Sequence, residues 1–206
     1  MLKSFLAKQM LQPHGLFGRF LLGPLWNRHN AVLNDCTLQS LHLESQDCVL
    51  DIGFGGGYLL GKMLDIVTRG QIAGLDNSEI LVDAAIKKFK DAILNGRMII
   101  TLGNVEKLPY DDGTFNKISS VNSIFYWSDL HQGLREVHRV LQKNGLYVLT
   151  FTVEKDLHKR GFSSYGIHSF SEAEITSALY AVGFYKIESC TEQDRHRAFL
   201  IISSKK

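Results

Sequence analysis

The stretch VLDIGFGGGYLL, Val49 to Leu60, constrains this chain more than any other. An aliphatic run ends in Asp51, glycines follow at 53, 55 and 57, and a helix-like run then begins. A glycine-rich turn between strand and helix lets a ligand approach the backbone closely. The free N–H groups at the helix start favour an anionic group on that ligand.

The rest of the chain supplies the setting for such a turn. From residue 46 onward, short aliphatic or β-branched runs alternate with longer helical patterns, the signature of a parallel sheet covered by helices. Strands are expected at Cys48–Ile52, Gln71–Leu75, Met98–Leu102, Lys117–Val121 and Gly145–Thr152, with helices near Gly57–Thr68, Ser78–Leu94 and Asp129–Gln142. The last of these carries Leu130, Leu134, Val137 and Leu141 at helical spacing. A further helix opens at a capping box, Ser171 and Glu174, and stops before Gly183. FYKIESCTE and RAFLIISS flank the polar turn QDRH and read as an antiparallel hairpin at the end of the sheet.

With 206 residues there is length for one domain with a full core, and a formal net charge of +2 does not point to nucleic acid. Cys36, Cys48 and Cys190 form no CxxC pair, which argues against a disulfide framework or a structural zinc and fits a reducing, cytoplasmic setting. No run approaches the roughly 18 to 20 apolar residues of a membrane span. Residues 1–45 differ in character from residues 46–206 and are expected to form a helical appendage: a packed helix, a lid over the ligand, or a peripheral membrane contact.

Which ligand the turn holds follows from the glycine spacing. The dinucleotide fingerprint GxGxxG fails in both frames, because Tyr58 and Leu60 stand where its last glycine is needed. What is present is Asp51-x-Gly53-x-Gly55-x-Gly57, a pattern that resembles the S-adenosylmethionine-dependent methyltransferases of the Rossmann-like class. Asp76 ends the second strand, 19 positions after Gly57, where an acid can accept both hydroxyls of a ribose; helix capping, shared with Ser78, is its other reading.

GNVEKLPYDDGTFNKISSVNSIFYWSD followed by LREVHRVLQKNGLYVLTF resembles the second half of a small bacterial class I methyltransferase of the UbiE/COQ5-like, or methyltransferase type 11, group. The resemblance runs from about Arg19 to Phe184. It implies a Rossmann-like three-layer α/β/α sandwich with a mostly parallel seven-stranded sheet and a C-terminal antiparallel hairpin. It also implies that Asp51, Ile52, Gly53, Gly55 and Gly57 line the methionine portion of S-adenosylmethionine and that Asp76 holds the ribose. Asn77 would lie beside the adenine, Asn104, Val105 and Glu106 would form its edge-binding loop, and Asn122 would stand at the reaction end. Relatives favour GD where this chain has Gly103-Asn104, and FD where it has Phe115-Asn116. NRHNAVLN also resembles a segment that covers the cofactor, making Arg28, His29, Asn30 and Asn34 candidates to close the site.

Methyl transfer is an in-line displacement from sulfur, for which orientation and exclusion of water supply on the order of 7 to 11 kcal/mol. No metal is needed, and no residue stands out as a base. His29, His131 and Tyr126 are the catalytic candidates, His168 falls in a segment that could border the cleft, and Tyr126 and Trp127 are candidate walls of the acceptor pocket or packing against the next helix. The NPPY signature of base-amino methyltransferases is missing after the fourth strand, where VNSI stands. The acceptor is therefore expected to be a small organic molecule, quinone-like or lipid-like, and not nucleic acid. A nonenzymatic S-adenosylmethionine-binding or adaptor protein is the alternative.

Overall fold

Val49 and Asp51 on one side of the first strand, and Leu50 and Ile52 on the other, set the two faces on which the molecule is built. The computed structural model describes residues 27–159 and 168–206. Its elements are α1 (Ala31–Leu41), β1 (Cys48–Ile52), α2 (Tyr58–Ile66), β2 (Gln71–Asp76), α3 (Glu79–Lys88), α4 (Lys90–Leu94), β3 (Met98–Leu102), β4 (Phe115–Val121), α5 (Leu130–Val140), β5 (Leu141–Thr152), α6 (Glu154–Lys159), α7 (Glu172–Ala181), β6 (Tyr185–Gln193) and β7 (Ala198–Lys205). The seven strands form one sheet in the order β3-β2-β1-β4-β5-β7-β6. Neighbours from β3 to β5 are parallel, and β7 runs antiparallel to both β5 and β6.

Strand periodicity sorts the apolar side chains onto the two faces. Leu50, Ile52, Ala73, Leu75, Tyr147, Leu149, Phe151, Leu200 and Ile202 share a core with α5 and α7. Val49, Ile72, Val148, Phe199 and Ile201 share the other with α1, α2 and α3. This is the expected α/β/α sandwich. Leu33 and Leu41 of α1 are fully buried in the second core, and the Thr37 and Thr150 hydroxyls meet at 2.7 Å between α1 and β5. The part of the expected appendage from residue 27 onward is thus packed into the sandwich, whereas residues 1–26, which include most of the expected lid, lie outside the described residues.

Element boundaries shift by one or two residues at several ends, and the larger departures from the sequence expectation lie at the α3–α4 break and the α5–β5 junction. The helix expected over Ser78–Leu94 breaks at Phe89 into α3 and α4; Phe89 is buried, and its ring lies where a side chain on Gly57 would go. The helix expected to reach Gln142 stops at Val140, because Leu141 pairs with Phe115 of β4 and starts β5 four residues early. A bulge then separates that pair from the regular register beginning at Lys117 and Leu146. Ser78 occupies the N-cap position of α3, yet its hydroxyl makes no capping bond. The Ser171–Glu174 capping box of α7 forms as expected, and Gly183, at φ +104°, follows its end.

Candidate active site

The carboxyl ends of the parallel strands bring the sequence motifs together, as open α/β sheets do for their ligands. Gly53, Gly55 and Gly57 all adopt positive φ, from 55° to 73°. At Gly53 a methyl group would come within 2.4 Å of the Ser123 Cβ, so this turn is closed against the segment after β4 as well as twisted. The glycine N–H groups have partners within the protein: Gly53 donates to the Leu75 carbonyl at 2.7 Å, Gly55 to Asp76 at 3.0 Å and Gly57 to the Phe54 carbonyl at 2.9 Å. An anion at this turn would therefore be held by the neighbouring N–H groups of the α2 start.

Two buried carboxylates face this turn. Asp51 is 3% exposed and accepts the Ser119 hydroxyl at 2.7 Å. Burial pushes it up to about 7, with the Ser119 hydrogen bond lowering and the nearby Asp76 charge raising it. Asp76 is 6% exposed and accepts N–H groups from Gly55 and Ser78, each at 3.0 Å. Burial pushes it up to about 6 despite those bonds and one from the Asn77 backbone. Each carboxylate oxygen keeps acceptor capacity beyond one hydrogen bond. The Ser78 hydroxyl beside them is buried with no partner among the described residues. Two desolvated acids and an unmatched hydroxyl suit a ligand carrying both cationic charge and hydroxyls, such as S-adenosylmethionine.

The adenine-side candidates divide. Asn77 and Asn104 are exposed, and the Asn104 side-chain Oδ1 already accepts the Glu106 N–H at 3.1 Å, capping a short 3-10 turn over Val105–Lys107. Val105 is buried in the core. Glu106 accepts the N–H groups of Ser128 and Asp129 at 2.6 and 2.8 Å, which ties this loop to the start of α5. Ile52 points into the core beside Leu50 and Leu75, leaving its backbone as the part that can border a ligand. Asn116, at the departure from FD, bridges Asp47 and the Cys48 N–H, pinning the start of β4 to β1.

At the reaction end, Asn122 has a left-handed backbone, φ 53°, and connects three segments. Its Nδ2 donates to Asn30 Oδ1 at 3.1 Å, and its Oδ1 accepts the Thr152 N–H at 2.9 Å. Asn30 Oδ1 also accepts from Arg197, which is 5% exposed and donates as well to the His29 carbonyl at 2.8 Å. Of the remaining proposed closing residues, Asn34 is buried in α1 and Arg28 is exposed. His131 is exposed in the first turn of α5, and His168 stacks on Phe170. Tyr126 is half-buried against the α5-side core, and burial pushes its hydroxyl up to about 12, which opposes service as a base near neutrality. Trp127 is 5% exposed, donates to Ser123 at 3.3 Å and lies against Gly133 of α5. Of its two readings, the structure shows helix packing.

Sequence reasoning missed Arg197, which it read as the first residue of the last strand, and Lys88, whose ammonium donates to the Gly56 and Gly57 carbonyls at 3.2 and 3.1 Å. Tyr58, which breaks the dinucleotide fingerprint, donates to Asp35 and joins α2 to α1.

Known proteins share this design. The methyltransferase domain family matches residues 50–149. Putative methyltransferase YrhH of Bacillus subtilis is 30% identical over 58% of this chain and 67% of its own length. The chain belongs to the class I S-adenosylmethionine-dependent methyltransferases. Uncharacterized methyltransferase YdaC of B. subtilis is 28% identical over 82% of this methyltransferase and 88% of its own length. The ubiquinone/menaquinone biosynthesis C-methyltransferase UbiE of Neisseria meningitidis is 31% identical over 70% of this chain, which spans 58% of the UbiE length. In fold, the methyltransferase superposes with a TM-score of 0.79 on a chain from the solved complex of the Haloferax volcanii Trm112 methyltransferase activator with a putative methyltransferase, 20% identical and covering 98% of this chain and 96% of that one. A nonenzymatic cofactor-binding role is not favoured by these matches. Among the described residues, no group of three His, Cys, Asp or Glu side chains could hold a metal, and no helix is long and apolar enough to cross a membrane.

Proposed function

We propose that this methyltransferase transfers a methyl group to a small organic acceptor of quinol-like or lipid-like character, bound beside Asn122 under the Arg28–Asn34 segment. The observation that carries this reading is the Asn122–Asn30–Arg197 network, which holds that segment to the end of β4. The likeness to UbiE supports the acceptor class.

S-adenosylmethionine supplies an electrophilic methyl group on a sulfonium. Asp51 would offer negative charge to its cationic methionine end, and Asp76 would accept the ribose hydroxyls. Asn77 and the Asn104–Glu106 loop would border the adenine. The three glycines give the donor room at the backbone. Covering the site excludes water, and orientation of donor and acceptor can supply much of the acceleration without a covalent intermediate.

Where an acceptor proton must leave, His29 is the best-placed candidate, because it adjoins Asn30 and its carbonyl is fixed by Arg197. The N-terminal segment, residues 1–45, would serve as a lid over the site, and a contact with a membrane surface is a second role its composition fits.

The deciding experiment titrates the full chain and Asp76→Ala with S-adenosylmethionine, S-adenosylhomocysteine and NAD. A quinol and lipid-precursor panel is then screened for release of S-adenosylhomocysteine. Binding of the first two, weakened at least about tenfold by the substitution, with turnover on a panel member, is the expected result. Donor binding without turnover across quinols and lipid precursors would count against the acceptor class.

A further inference from the structure

The segment before α1 and the β6–β7 turn enclose a recess of about 400 Å³ lined by Arg28, His29, Val32, Asp194, Arg195 and His196. That volume suits a small ligand or the head of a larger one. Four of the six lining residues are basic, and the one acid among them is already engaged. Asp194 accepts the N–H groups of His196 and Arg197 at 2.7 and 2.9 Å and pairs with Arg197 Nε at 3.4 Å. Burial raises its pKa, but these contacts more than offset that and hold it below the ordinary aspartate value. Among the described residues, no carboxylate pairs with Arg28 or Arg195. The rings of His29 and His196 stack with centroids 6.2 Å apart, one from each wall.

The exposed guanidinium groups of Arg28 and Arg195 can meet an anion at this hollow without first breaking an ion pair among the described residues. Guanidinium donors match the planar fork of a carboxylate or the edge of a phosphate. Val32 is 45% exposed at the same recess and gives an apolar body something to lie on. The recess is also joined to the reaction end: His29 precedes Asn30, and Asn30 bonds to Asn122.

We infer that this recess is the anchoring subsite for an oxyanion, carboxylate or phosphate, carried by the methyl acceptor. This inference rests on the small-molecule methyltransferase reading and narrows it. The acceptor is an acid with an apolar body, its charged end at Arg28 and Arg195 and its reacting atom toward Asn122.

The test is calorimetry on the full chain, first with S-adenosylhomocysteine and then, once saturated, with phenyl phosphate, benzoate and the neutral benzyl alcohol. The two exposed arginines are replaced in Arg28→Gln/Arg195→Gln, with Arg195→Glu as an independent variant and thermal melts to confirm folding. Wild-type protein should bind an anionic probe at least about tenfold more tightly than benzyl alcohol, and both variants should lose that preference. The affinity of the Arg195→Glu variant for S-adenosylhomocysteine should stay within about twofold of wild type, since Arg195 is no part of the donor site or of the segment that covers it.

No preference in the wild type, or a preference kept by both variants, overturns the subsite. Failure of wild-type protein to bind S-adenosylhomocysteine would instead overturn the methyltransferase reading beneath it. A vesicle arm separates the sources of the anion. Binding to phosphatidic acid in phosphatidylcholine but not to phosphatidylcholine alone, lost in the double variant, supports the subsite and assigns the oxyanion to a lipid headgroup. Binding of soluble probes without vesicle binding supports it and assigns a free acid.

Discussion

Asp51 and Asp76 are buried carboxylates, and the donor contacts proposed for them would make binding depend on pH. Desolvation raises both above the ordinary aspartate value, to about 7 and about 6. For an acid raised in the folded state, the stability contribution is complete below the unfolded value, near pH 4, and is lost as pH rises through the folded value. The ligand-free protein should therefore lose thermal stability between about pH 4 and pH 7 from these two groups. Asp51→Asn should flatten part of that decline in a set of melts at constant ionic strength, while weakening S-adenosylmethionine binding. A cationic donor favours the ionised acids, so binding near pH 6.5 should release protons. Calorimetry in buffers of different ionisation enthalpy measures that release, and an enthalpy independent of buffer would contradict the assignment of charge to Asp51. Gly53→Ala tests the turn itself. With φ at +73° and Ser123 2.4 Å from the new methyl, it should cost about 2 kcal/mol or more in denaturant titration and abolish donor binding.

Among the elements, those whose pattern is local were readable and those fixed by distant contacts were not. The Ser171–Glu174 box needs only three residues of spacing and appears in the structure with both of its hydrogen bonds. Ser171→Ala should cost about 1 kcal/mol in stability and leave S-adenosylhomocysteine affinity unchanged; a change in that affinity would mean that α7 communicates with the site. The core strands were legible for the same reason, since alternation marks their faces. The end of α5 was not, because Leu141 continues the helical spacing while its pairing with Phe115 lies across the sheet. Ser78 stands at the N-cap of α3, but the Leu81 N–H bonds to the Ser78 backbone carbonyl at 3.0 Å and not to its hydroxyl. At the site, the glycines and acids were visible through spacing, yet Trp127 could be placed only by seeing it against Gly133. QDRH gave a hairpin turn correctly, while the partners that make Arg197 matter lie 167 and 168 residues away in sequence.

That separation is why Arg197 acts at the level of the whole molecule. It joins the start of the described chain to the last hairpin, and through Asn30 it reaches Asn122 and Thr152 at the ends of two central strands. Removing the guanidinium leaves Asp194 buried without its cation and Asn30 without one of its two donors. Loss of one partner of a buried pair costs about 3 to 5 kcal/mol, and Arg197→Met should fall toward the lower end because Asp194 keeps two backbone N–H bonds. The loss should be uneven. Hydrogen exchange should accelerate at Asn34, whose N–H bonds to the Asn30 carbonyl, and much less at Val49 and Leu50 in the middle of the sheet. Equal acceleration at both places would mean that Arg197 serves only global stability. Acceleration confined to the α1 start, with S-adenosylhomocysteine still bound, would show that the hairpin holds the cover of the reaction end while the glycine turn and its two acids hold the donor independently.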